Sequence, residues 1–172
     1  MNWRKYLGAL LISILPLLFF LSPASALDND AARASLRGIE AIRLVVEELI
    51  PEIVKDGLTS DQIHSAVEQQ LREGGIKVVA DDKMPFLLVS PSIAKFGRNN
   101  YVYTVKVELY QVVVPYRFLP EKEGSSSVQN ALFASTWGSP GGIGATPNLQ
   151  DVKPSIRAEV ARFIEAFKAA NR

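Results

Sequence analysis

The stretch YVYTVKVELYQVVV, Tyr101 to Val114, decides the fold. In an extended chain Tyr101, Tyr103, Val105, Val107 and Leu109 share one face, and Val102, Thr104, Lys106, Glu108 and Tyr110 share the other. The first set is apolar throughout and is expected to face a core. The second mixes Lys106 and Glu108 with Val102, Tyr110, Val112 and Val114, more apolar surface than a solvated face requires. Such a face is either covered by loops or offered to a partner. A run as β-prone as VELYQVVV is an aggregation hazard at a sheet edge, so a central strand is expected. Upstream, GRNN (Gly97 to Asn100) has turn composition and follows PFLLVSPSIAKF, so the two arms read as a long antiparallel hairpin.

Around the hairpin the pattern changes period. IEAIRLVVEEL (Ile39 to Leu49) alternates and reads as a first strand. In LTSDQIHSAVEQQLREGG, Thr59 and Gln62 have capping-box spacing, Leu58 and Ile63 make a hydrophobic staple, and Ile63, Val67 and Leu71 recur every fourth residue. Gly74-Gly75 ends that helix. The following IKVV (Ile76 to Val79) reads as a second strand, giving a right-handed parallel crossover with the first. PEKEGSSSVQN (Pro120 to Asn130) has linker composition, and ALFASTW (Ala131 to Trp137) is a short last strand. Leu149, Val152, Ile156, Val160, Phe163 and Phe167 form an amphipathic helical stripe, with a kink expected at Pro154. The expected fold is one two-layer α+β domain over residues 39–172, in the order β-α-β-β-β-β-α. About five mostly antiparallel strands carry two helices on one face.

The N-terminus indicates compartment. Arg4 and Lys5 precede an apolar run from Leu7 to Leu21, and Ala24 and Ala26 frame a small-residue cleavage site. That is the layout of a cleavable secretory signal over residues 1–26; the run is short of the ~20 residues a spanning helix needs. No cysteine follows Ala26, so disulfides, a lipid-acceptor cysteine, thiol catalysis and cysteine metal sites are excluded. The expected location is therefore periplasmic or secreted, with residues 27–38 a loose polar lead and no transmembrane span after cleavage. Removing Arg4 and Lys5 leaves 17 basic against 18 acidic residues. That balance lacks the basic field that nucleic-acid binding relies on.

The glycine-rich STWGSPGGIGAT (Ser135 to Thr146) invites a nucleotide reading that its spacing rejects. Five residues separate Gly138 from Gly144, and Ala145 stands where a phosphate-binding loop needs lysine. Gly142-Ile143-Gly144 has no third glycine and no strand-helix-strand unit after it. No nucleotide or other cofactor is expected. Gly138, Gly141, Gly142 and Gly144 instead read as a hinge from sheet to helix, with anion binding by their amides the alternative. Trp137 is expected at the core rim with its indole N–H toward a partner group, ligand stacking being the alternative. His64, the only histidine, falls off its helix's apolar stripe and reads as a surface residue. Glu47-Glu48 and Asp81-Asp82 read as solvated charge. No catalytic or metal-ligating set emerges.

GLTSDQIHSAVEQQLREGGIKV, YVYTVKVELYQVV and STWGSPGGIG, in that order, resemble a group of small secreted bacterial proteins from about Gly38 onward. More remotely, the element order resembles α/β accessory domains of cell-envelope machines, such as the N-terminal domain of the Tol-system propeller protein and lipopolysaccharide-transport lipoproteins. Leu27 stands where those lipoproteins carry their lipidated cysteine. With no chemical site and a partly apolar second sheet face, the expected function is a non-catalytic periplasmic or secreted module that binds an envelope protein or lipid component through the Lys106, Glu108 and Tyr110 face, a strand edge or the glycine stretch near Trp137. The alternative is a small-molecule or anion-binding protein, conceivably a weak hydrolase, centred on the glycines. A membrane-surface role for the C-terminal helix, through Lys153, Arg157, Arg162 and Lys168, is disfavoured by Glu159 and Glu165 and by a stripe suited to docking on the sheet.

Overall fold

The computed structural model describes residues 28–115 and 131–172; the expected signal and the 120–130 linker lie outside these residues. The long hairpin is its centre. β2 (Phe86–Phe96) pairs antiparallel along its whole length with β3 (Asn100–Val113), from Phe86 opposite Tyr110 to Phe96 opposite Asn100. On β3 the alternation holds: Tyr101, Val105, Val107 and Leu109 are buried, while Val102, Thr104 and Lys106 are exposed. β1 (Arg43–Val46) lies parallel to β2, pairing with Phe86 to Val89. Pro91 sits in β2 just past the end of β1, where its missing N–H deprives no neighbouring strand. β4 (Leu132–Gly138) and β5 (Gly142–Thr146) both pair antiparallel with β3, giving the order β1-β2-β3 and then β4 and β5 together on the far side. The chain is thus a single α+β sheet of five mostly antiparallel strands with its main helices on one face.

Those helices are α3 (Ser60–Glu73) and α4 (Val152–Ala170), following two short ones, α1 (Asp30–Ala34) and α2 (Pro51–Lys55). The Thr59 hydroxyl accepts the Gln62 N–H at 3.2 Å, which satisfies one of the amides a helix start leaves unpaired. Leu58 and Ile63 are both buried, as a staple requires, and Ile63, Val67 and Leu71 carry the helix onto the sheet. On α4 the buried stripe Val152, Ile156, Val160 and Phe163 meets the inner face of β3 and β4, where Phe163 packs on Trp137 with ring centroids 5.2 Å apart.

Four expectations give way to the structure. IKVV is not a strand: it makes one parallel bridge, Val78 to Ile42, and the crossover from β1 through α2 and α3 returns instead to β2. The turn at Asp81 to Met84 redirects the chain before a ladder forms. Pro154 does not kink α4. A 3₁₀ turn at Leu149–Asp151 leads into the helix, so Pro154 lies in its first turn, where a missing N–H costs nothing.

The glycine stretch is not a hinge. Strand pairing continues across it, with Ser139 donating its N–H to the Val107 carbonyl at 2.8 Å between β4 and β5. Gly141, at φ +87°, supplies the one left-handed residue this irregular edge needs. Gly144 is opposite Tyr103, and a Cβ there would lie 2.5 Å from the Tyr103 hydroxyl, which is held by Ser155 Oγ at 2.8 Å.

The lead is also ordered from Asp28. Asn29 caps α1 through the Ala32 N–H, Leu36 is fully buried, and the Asn171 amide group donates to the Leu36 carbonyl and accepts the Gly38 N–H. Asp28 pairs with Arg33 at 2.7 Å and accepts the Trp137 indole N–H at 3.1 Å. The Arg33 hydrogen bond, reinforced by Trp137, holds the Asp28 carboxyl below its ordinary range against the opposing effect of burial.

Gly144→Ala pushes Tyr103 off Ser155 and is expected to cost about 1–3 kcal/mol in denaturant unfolding; in a Tyr103→Leu background the same change should cost much less. Because the Asp28 pKa is depressed on folding, its contribution is present above the unfolded value and is lost as pH falls through the folded one. Stability should therefore decline below about pH 4, with Asp28→Asn flattening that decline, as read by Trp137 fluorescence during acid and urea titration.

Candidate binding face

With the helices on one side, the other face of the sheet is built from alternate residues of all five strands. Its central row on β3 is Val102, Thr104, Lys106, Glu108, Tyr110 and Val112, flanked by even-numbered β2 residues and by Ile143 and Phe133. Among the described residues the face is open to solvent. Ile143 is 85 % exposed, Val112 and Phe133 57 % each, and Val102 42 %.

The relief of this face differs between its ends. At one end Phe86 stacks on Tyr110 with centroids 5.0 Å apart and planes 3° from parallel, Phe133 tilts against Phe86 at 5.9 Å, and the Arg43 guanidinium lies 5.3 Å over the Phe86 ring. Partial burial raises the Tyr110 hydroxyl pKa, so that group stays a neutral donor through the physiological range. At the other end an apolar hollow of about 320 Å³ is lined chiefly by Ala94, Val102, Thr104 and Ile143. Lys106 and Glu108 stand between the two. Among the described residues neither joins an ion pair, although Glu108 accepts a 3.4 Å hydrogen bond from Ser135.

The glycine stretch offers less. Gly138 is opposite Glu108, Gly142 opposite Val105 and Gly144 opposite Tyr103, so these residues belong to the β3 ladder. A Cβ on Gly142 would lie 3.7 Å from a carboxylate oxygen of Glu159, a residue only 5 % exposed, and a buried acid beside the glycines opposes anion capture there. Trp137 is fully buried, and its indole N–H has Asp28 as partner, so no face of the ring is available for ligand stacking. The structure separates these residues into two places: Lys106, Glu108 and Tyr110 on the open face, Trp137 in the core.

A cavity of about 350 Å³ at the outer edge of β1 escaped the sequence reading. It is lined mainly by Arg43, Leu44, His64, Glu68, Arg72 and Asp82. Its charges largely satisfy one another: Arg72 pairs with Glu68 at 2.7 Å and Arg43 with Asp82 at 3.1 Å, while His64 lies 3.8 Å from Glu68. The Arg72 hydrogen bond holds the Glu68 carboxyl below its usual range. The only prior signal was the four-residue spacing of His64, Glu68 and Arg72 on one helix. Among the described residues no three His, Asp or Glu side chains stand close enough to hold a metal, and no helix is long and apolar enough to cross a membrane.

No family model matches the chain, and no curated protein matches it. Among solved structures it is similar to a minor lipoprotein from Acinetobacter baumannii, at 11 % identity over 76 % of this chain and 94 % of that one, with a TM-score of 0.36. It is also similar to a PelC dodecamer from Paraburkholderia phytofirmans, at 12 % identity over 74 % of this chain and 86 % of that one, with a TM-score of 0.39.

Proposed function

We propose that this chain is a non-catalytic binding module of the bacterial cell envelope, periplasmic or secreted, that acts through the open face of its sheet. One observation carries the reading: a five-stranded sheet buries one side under α3 and α4 and presents apolar side chains, led by Ile143 at 85 % exposure, on the other. A solvated sheet face ordinarily alternates to polar residues, and an apolar patch on that scale marks an interaction surface. The basic n-region, apolar run and small-residue site within residues 1–26 support the compartment. The mix of charge and aromatic groups favours a protein over a lipid surface, because Lys106 and Glu108 at the centre gain from defined opposite charges and lose in hydrocarbon.

Photo-crosslinking in the native cells tests this directly. A photoreactive residue at Ile143 or Phe133 should give a discrete higher-mass adduct, and one at Gln69 on the outer side of α3 should not. Adducts from neither face position, with the protein exported and folded, would remove the sheet face as the functional surface.

A further inference from the structure

We propose that the partner of the open face is a second copy of this chain, the two faces packing about a two-fold axis that runs across the strands at the level of Val107. This inference rests on the reading of the face as a binding surface and names its occupant.

Three observations converge on a self-complementary surface. The first is charge. Lys106 and Glu108 lie one residue on either side of Val107, both on the open face and neither in an ion pair among the described residues. Reversing β3 about Val107 brings Lys106 of each copy opposite Glu108 of the other, so the four charges of the two copies become two facing pairs. In an isologous interface one surface meets its own image, and this one presents the complement of its own charge pattern.

The second is shape. The same operation places the level of Tyr110 and Val112 over that of Thr104 and Val102 in the partner. The aromatic end, where Phe133 stands 57 % exposed beside Phe86 and Tyr110, therefore arrives over the 320 Å³ hollow between Val102 and Ile143. The hollow of the first copy receives the aromatic end of the second in return. A bulky cluster at one end and an apolar hollow at the other, equidistant from a charged centre, fit each other only in this reversed orientation.

The third is area. The strands β1 to β5 that build the face run for 4, 11, 14, 7 and 5 residues. At about 3.3 Å per residue and about 4.8 Å between strands, the face measures on the order of 700 Å² per copy. A stable interface of standard size takes about 600–1,000 Å² from each partner, and the face falls within that range. Two sheets packed this way lie about 10 Å apart, a gap that long side chains such as Lys106 and Glu108 bridge from opposite sides.

The test is a charge-swap series followed by sedimentation equilibrium and light scattering on the purified mature chain. Wild type should be a dimer whose dissociation follows mass action. Lys106→Glu and Glu108→Lys should each weaken it about tenfold or more, because each sets like charges face to face twice per dimer. The double variant Lys106→Glu/Glu108→Lys should recover most of the wild-type affinity, since the pairs are restored with polarity reversed. Ile143→Arg, on a side chain too exposed to matter for folding, should also give monomer. A double variant as weak as the singles would overturn the proposed orientation, and a dimer indifferent to all four variants would place the contact on another surface. A monomeric wild type, with adducts still formed from Ile143 in cells, would show that the face binds a different protein and leave only the general reading standing.

Discussion

Val105, Val107 and Leu109 are completely excluded from water, and their burial under α3 and α4 is the constraint from which the remaining architecture follows. Side chains alternate along β3, so sealing these three fixes Lys106, Glu108 and Tyr110 on the opposite face. A one-residue slip in register would drive Lys106 and Glu108 under α4 at a cost of several kcal/mol for each unpaired charge, so the register is strongly specified. β2 and the β4–β5 edge then inherit their facing from β3 through continuous ladders. The open face is thus a geometric consequence of the core, and its composition is what gives it meaning.

The inner layer is tied at its ends by polar contacts that link distant parts of the chain. Asn171, at the end of α4, holds the Leu36 and Gly38 backbone, and Asp28 holds Trp137 across 109 residues of sequence. On the opposite flank, Lys95 and Tyr101 both donate to one Asp56 oxygen at 2.7 Å, joining the hairpin to the turn before α3. The Lys95 bond, with Tyr101 second, depresses the Asp56 pKa, and the same carboxylate raises that of Tyr101. Thr146 accepts the Asn148 N–H and donates to Asp151, fixing the exit of β5 into α4. These ties confine the helices to one layer and leave the other face of the sheet free.

What was legible in the sequence had a strong local cause. The two-residue period of β3, the Thr59 cap and the three- and four-residue steps of α4 depend on their own neighbours, and the structure keeps them. The misread segments depend on tertiary partners. IKVV has strand composition but reaches β1 at one residue before the Asp81 turn takes it away. The lead is polar and aperiodic, and it is ordered by Asn171 and Trp137, which no local pattern reveals. The glycines suggested a break because the β3 ladder that carries them through, with Tyr103 lying over Gly144, is 30 to 41 residues upstream. For the candidate face, the excess of apolar residues beside Lys106 and Glu108 was visible in β3 alone. Its aromatic cluster and hollow were not, since they draw on Phe86, Ala94, Phe133 and Ile143 from three other strands.

In the proposed dimer this sheet face, solvent-exposed in an isolated chain, is buried against a second copy. Hydroxyl-radical footprinting of the mature protein from high dilution to high concentration, read by peptide mass spectrometry, addresses it most directly. The account predicts that Phe133 and Tyr110 become protected together as concentration rises, while exposed side chains on the outer surface of α4 continue to react unchanged. Equal reactivity of Phe133 and Tyr110 at every concentration would contradict it.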